Sequence, residues 1–353
     1  MWVIVFHSRV ALWVGFRDIQ KNPGAYSHLD HLVAWLSLPA ACGGSAVMLF
    51  FLISGFCIHL PYVANTRPFN LKQYSLRRAF RILPPYLFAV ALTCGLEWLA
   101  YSMGGNSPTP GHQIVRVALL SQNYGSDQPY TNGSLWSLPV EVELYIAYLA
   151  VYFFLVSTNK VSTGVIISIT SLVATAVYIS GVRILDDNFL RFWAIWCAGA
   201  LLAEWFRGKR MPPFKAWNAV MFFLLILAAV WGEGYHWRTH EWYLGITAYL
   251  WAAVYFHLIW LALSKPDSIY KFPEWCVRLF VWLGTVSYSA YLIHAPVFVL
   301  CGFLWTRAFG AKPASFLVPL FFSAAIWPVA WLFWKFCEAP FHHLAQRLAK
   351  RNV

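Results

Sequence analysis

Long apolar runs separated by polar connections recur along nearly the whole chain. About ten of them have the length of a helix that crosses a bilayer. They predict spans over residues 1–16, 42–60, 82–101, 138–157, 161–181, 189–206, 216–232, 243–264, 279–305 and 315–337. One stretch breaks the rhythm of short connections. Residues 102–137 are polar, open with GGNSPTPG, hold a candidate short helix around 112–121 and contain the sequon Asn132-Gly133-Ser134. A long loop in a compact bundle is commonly a working part of it. No internal repeat is evident, which weighs against an inverted-repeat transporter.

Composition agrees with the pattern. With 60% hydrophobic residues, 11% charged residues and 20 tryptophans in 353 residues, the chain has too little polar surface to cover a soluble globule. The predicted fold is therefore all-α, a polytopic membrane bundle of about ten helices. Ten crossings put both termini on one side. That side carries Arg67, Lys72, Arg77, Arg78 and Arg81, then Arg207, Lys209, Arg210 and Lys215, then Arg347, Lys350 and Arg351, with Lys160, Lys265, Lys271 and Arg278 besides. The opposite loops hold roughly half as many basic residues, so both termini are expected in the cytoplasm. The net charge of +12 then needs no nucleic acid to explain it. A basic n-region and a small-residue cleavage site are missing before Arg17, so no cleavable signal is expected.

The seven cysteines lie in or beside apolar spans without a CxxC pair. They read as small buried hydrophobes, and no disulfide or zinc framework is expected. His28 with His31, and His236 with His240, have helical ligand spacing but lack a clear third ligand, so no metal site is predicted.

Several polar groups fall where lipid penalises them. His7 lies inside the first span and must face the bundle interior. Two readings stand: a general base able to take a hydroxyl proton, or a hydrogen bond to a neighbouring helix. Arg78 and Arg81 are three apart and share a helix face, followed by Pro84-Pro85. They are either a phosphate grip or a headgroup anchor at the membrane surface. Ser54-Gly55 is a small pair in the aromatic run FFLISGF, fit for close approach of a helix or ligand. Trp136-Ser137-Leu138-Pro139-Val140-Glu141 opens the fourth span, with Ser137 as N-cap and Glu141 near a helix N-terminus. Glu143 points elsewhere around that helix. In the ninth span Ser287, Tyr291 and His294 form a stripe at helical spacing, and Glu338-Ala339-Pro340 closes the tenth.

In this order the segments resemble the membrane-bound acyltransferase-3 family. The pattern is a histidine in the first span, FFxxSGF, RxxR followed by ILPxY, WSLxxE, SYxxYLxH and a terminal ExP, and it covers His7 to about Pro340. The resemblance implies an integral membrane O-acyltransferase domain over 1–340, followed by a short basic cytoplasmic tail over 341–353. It implies transfer of an acyl group, usually acetyl, from acyl-CoA to a hydroxyl of a sugar on a cell-surface or exported glycan. No bound cofactor is implied; acyl-CoA is a substrate, a sugar or lipid-linked glycan is the acceptor, and membrane lipids surround the chain. The expected place is the bacterial inner membrane. By the same resemblance His7 is the base and Glu141 a catalytic carboxylate. Arg78, Arg81 and Glu338 serve the acyl-CoA, and Ser54, Trp136, Ser137, Ser287, Tyr291 and His294 support the cavity.

Two departures stand out. Family members carry a basic residue eleven positions before the first-span histidine, whereas this sequence starts six before His7, and its first span is short for a crossing. An upstream start or an impaired copy is expected from that. The competing readings are a transporter or flippase for a glycan or anionic lipid, and a catalytically dead membrane scaffold.

Overall fold

The computed structural model describes residues 1–65, 70–124, 128–156, 163–180, 188–239, 246–264 and 272–350. Arg67, Lys160, Arg183, His240, Lys265, Lys271 and Arg351 lie outside the described residues. Among those described, every regular element is helical. Eight helical runs are long and apolar enough to cross a membrane, and the shorter apolar helices Trp2–Leu12 and Gly164–Tyr178 fall on the first and fifth predicted spans. Each predicted span thus corresponds to a helix. An α-helix satisfies its own backbone polar groups, and lipid offers no other partner for them.

The principal helices are α1 (Trp2–Leu12), α2 (Ala46–His59), α3 (Leu71–Ser102), α4 (Ser137–Val156), α5 (Thr163–Ile179), α6 (Phe189–Arg207), α7 (Ala216–Thr239), α8 (Ile246–Ser264), α9 (Glu274–Phe309), α10 (Leu317–Phe333) and α11 (Ala339–Lys350). Two boundaries differ usefully from the predicted ones. α3 begins at Leu71, so the arginines expected at its mouth lie in its first turns. Of the residues expected as a tail after 340, those up to Lys350 lie in α11, an amphipathic helix that packs on α3. Between α10 and α11 the chain makes a π-helical turn over Trp334–Glu338. Such turns re-aim a side chain and often mark functional positions.

The chain divides into two compact units. One comprises Met1–Gly44, Asn70–Trp136 and Arg278–Val353; the other comprises Ser45–Phe69 and Ser137–Val277. In the first, α1 packs on α10, and α11 on α3. Short helices at Phe16–Lys21 and His28–Leu36 follow α1, the second opened by a Ser27–Asp30 capping box. Trp13 and Ile19 form a small core there with Val33, Ala34, Ala40 and Phe316. In the second unit α6 is the hub, packing on α2, α4, α5 and α8, and α7 packs on α8. Cys42 and Cys197 are buried, as expected of small hydrophobes, whereas Cys57 is exposed.

Candidate functional site

In the first unit, His7 meets His294. α1 comes close to α9 because Gly302 leaves room: a Cβ there would lie 2.7 Å from the Ala11 carbonyl oxygen. α1 is also tied to α10, where Ser8 Oγ lies 2.7 Å from Ser323 Oγ. His7 Nδ1 then sits 2.6 Å from His294 Nε2, and the imidazoles stack with centroids 4.9 Å apart. His294 is fully buried.

Hydrogen-bond chemistry assigns the tautomers. His294 Nδ1 is 3.0 Å from the Ala290 carbonyl oxygen, which only accepts, so Nδ1 carries a proton. A neutral His294 therefore accepts at Nε2, and His7 donates to it from Nδ1. That leaves the Nε2 lone pair of His7 available to take a proton, the state a general base needs.

The other members of the predicted stripe part ways. Tyr291 stays with the histidines, its ring 5.8 Å from that of His294 and its hydroxyl donating to the Ser134 carbonyl at 2.6 Å. Ser287 does not join them. It is exposed, and its hydroxyl turns back to the Gly284 carbonyl at 2.7 Å. The buried serine is Ser289, two positions on, which donates to Glu338 Oε2 at 2.6 Å. Two residues are about 200° around a helix, so the two serines occupy opposite faces.

Glu338 leaves the π-helical turn to reach Ser289, and Arg81 lies near enough for its charge to act on Glu338. Arg78 and Arg81 are on the helix face expected from their spacing. The Arg78 guanidinium sits 5.7 Å from the centroid of the buried Tyr74 ring, while Arg81 is exposed. Pro84 and Pro85 leave α3 unbroken. Beside them the Tyr288 hydroxyl donates to the Ile82 carbonyl at 3.2 Å, and Tyr86 donates to the Val117 carbonyl at 2.6 Å. Trp136 ends a 3-10 turn over Gly133–Trp136, and its carbonyl accepts from Asn123 Nδ2 at 2.8 Å. Arg9, the basic residue beside His7, stacks over Trp13 at 5.1 Å.

Ser54 and Glu141 belong to the second unit and are hydrogen-bonded there. Trp196 Nε1 donates to Ser54 Oγ at 3.3 Å, and Ser54 Oγ donates to Glu141 Oε1. Glu141 is almost fully buried. Glu143 does point elsewhere: its Oε2 accepts from the Phe189 N–H at 2.9 Å, at the start of α6. Ser137 is buried and is the first residue of α4, following directly on the 3-10 turn.

One group in this unit escaped the sequence reading. His59 is buried between Tyr148, whose hydroxyl is 3.0 Å from Nδ1, and Glu204, whose Oε1 is 2.7 Å from Nε2. Beside it lies a cavity of about 20 Å³, room for about one water, lined by aromatic residues that include Tyr152, Trp193 and Trp196. Its signal was present in the chain, because a histidine and a glutamate inside apolar runs must find partners. Of the histidines with metal-ligand spacing, His31 approaches the Pro23 carbonyl at 3.1 Å. Among the described residues no cluster of three or more His, Cys, Asp or Glu could hold a metal ion.

No curated protein and no solved structure matches the chain. A family model described as an acyltransferase domain matches residues 1–335, which is nearly the whole sequence. An all-helical membrane chain that brings a first-span histidine onto a ninth-span histidine thus belongs to the acyltransferase-3 family.

Proposed function

We propose that this membrane acyltransferase is an O-acyltransferase that moves an acyl group, acetyl in our reading, from acyl-CoA to a sugar hydroxyl of a cell-surface or exported glycan. The observation that carries the reading is the His7–His294 contact, which leaves a basic nitrogen on His7. A thioester is already activated, so the enzyme chiefly has to deprotonate the acceptor. In the proposed step the acceptor hydroxyl gives its proton to His7 Nε2 as its oxygen attacks the thioester carbonyl carbon. The C–S bond breaks, and the CoA thiolate takes the proton back from His7.

The rest of the site serves this step. Arg78 and Arg81 would grip the CoA phosphates, since a guanidinium fork suits phosphate and cannot lose its charge. Glu338 would border the donor site beside Arg81, held by Ser289. In the first unit Trp136, Tyr291 and His294 would form the wall; in the second, Glu141, held by Ser54, would be a catalytic carboxylate and Ser137 a supporting residue, roles that rest on the family pattern alone. Ser287, exposed and bonded to its own helix, has no part in the reading. The orientation follows the loop charges, with the termini and the arginines on the cytoplasmic side of a bacterial inner membrane, where acyl-CoA is available.

Membranes containing the protein are expected to release CoA thiol from labelled acetyl-CoA and to pass label to envelope glycan. Release no greater than in membranes lacking the protein would overturn the reading. Arg78→Ala is expected to raise KM for acetyl-CoA roughly 10- to 100-fold, the loss of one or two charge-assisted hydrogen bonds, with kcat largely recovered at saturating donor. An unchanged KM would return Arg78 to the role of a headgroup anchor.

A further inference from the structure

We propose that Asn132 is a positioning residue for the histidine pair: its side-chain amide replaces the backbone donor that Pro296 removes from α9, and so holds the turn that carries His294. The inference rests on the reading of His7 as the base.

Within an α-helix the Leu292 carbonyl would accept from the N–H of residue 296. Residue 296 is proline, which has no N–H and crowds that carbonyl. In a membrane bundle such a freed carbonyl must be satisfied by a neighbouring group. The group is Asn132, whose Nδ2 lies 3.0 Å from the Leu292 oxygen. Asn132 is fully buried, and the rest of its amide is committed as well. Nδ2 also donates to Thr93 Oγ1 at 3.0 Å, and Oδ1 accepts from Ser134 Oγ at 2.7 Å. Thr93 spends its own proton on the Ala89 carbonyl at 2.8 Å, so it is an acceptor toward Asn132. The donors and acceptors are mutually consistent.

The loop that presents Asn132 is itself anchored. Glu97, buried on α3, accepts from the Thr109 N–H at 2.8 Å, the Thr131 N–H at 3.1 Å and the Thr131 hydroxyl at 2.8 Å. Tyr291 reaches the same loop through the Ser134 carbonyl. The loop therefore fixes α9 at Tyr291 and Leu292, within one turn of His294. A hydrogen bond of 2.6 Å between His7 and His294 tolerates only small displacement of that turn, because such bonds weaken steeply with misalignment. The sequon asparagine is accordingly a structural donor, with an amide already in use in the folded chain.

A double-mutant cycle tests this. Asn132→Ala is measured in the wild-type background and in Pro296→Ala, which restores the N–H that Leu292 would otherwise lack. Two quantities are read on the full chain in detergent: kcat for acyl transfer from acetyl-CoA, and the midpoint of thermal unfolding. In the wild-type background Asn132→Ala is expected to lower kcat about tenfold or more, to leave KM for acetyl-CoA within about a factor of two, and to lower the midpoint. In Pro296→Ala the same change is expected to cost less than about twofold in kcat, with a correspondingly smaller shift in midpoint. Equal losses in both backgrounds would show that Asn132 does not act through the Leu292 carbonyl and would overturn the proposal. If Asn132→Ala does not fold, recovery of folded protein in the double variant supports the proposal, and failure in both backgrounds overturns it. Failure of the His7 reading is separable, since the midpoint cycle does not depend on which residue is the base.

Discussion

His7→Ala is expected to lower kcat for acyl transfer by about 10²–10⁴-fold, the usual worth of a positioned general base, while KM for acetyl-CoA changes little. The split follows from the division of labour in the site. In the proposed mechanism His7 would act on the acceptor proton in the transition state, whereas arginines on another helix would hold the donor, so removing the imidazole should leave ground-state donor binding in place. His294→Ala is expected to fall in the same direction by a smaller factor. It removes the acceptor that fixes His7 in the Nδ1–H tautomer, so only part of the remaining population has its lone pair on Nε2. Steady-state kinetics with labelled acetyl-CoA on the two variants checks both claims. Labelling by His7→Ala equal to wild type would sink the assignment of the base.

The second large effect is on stability. In the second unit α2 and α6 cross at two reciprocal glycines: a Cβ on Gly199 would run into the Leu52 carbonyl oxygen, and one on Gly55 into the Trp196 carbonyl oxygen. The backbones themselves are in contact, as in close helix crossings built on small residues in membranes. Neither carbonyl can swing away as a flexible side chain would, because each is part of a helix. Gly199→Ala is therefore expected to destabilise the unit by about 3 kcal/mol or more, the upper range for overpacking, and to be recovered poorly from membranes. Gly234→Ala on α7, where an added Cβ meets nothing within 4 Å, is the matched control. It is expected to be neutral or stabilising, since alanine favours a helix interior over glycine by about 1 kcal/mol. Thermal unfolding in detergent compares them, and equal midpoints would remove the crossing as the reason for these glycines. The same crossing brings Trp196 Nε1 to Ser54 Oγ, so Gly55 serves its motif by admitting α6 as well as by packing.

Much of the site was legible because lipid penalises polar groups one residue at a time. His7, Arg78, Arg81, Glu141 and Glu338 all stood out for their chemistry inside or beside an apolar run, and the structure sets His7 against His294, Arg78 over Tyr74, Arg81 near Glu338, Glu338 against Ser289 and Glu141 against Ser54. The rotation of a helix about its own axis was less legible. Ser287 and Ser289 look alike in the sequence SYSAY, and only the packing of α9 against the π-helical turn at Glu338 makes Ser289 the buried one. Asn132 looked like part of a sequon in the long polar loop. Its partner is the carbonyl of a residue 160 positions away, and the reason for the partnership is a proline four residues further on.

The succession of helices is a local property: each apolar run must satisfy its own backbone in lipid, and a helix is the way one chain segment can do so. That is why every predicted span corresponds to a helix, and why the polar residues within them marked themselves for the interior. Which of those residues meet is not local. His7 with His294, His59 with Glu204 and Tyr148, and Asn132 with Leu292 are each joined across dozens to hundreds of residues. A side chain with a cost to discharge accepts any suitable partner, and only the packing of helices within each unit selects one.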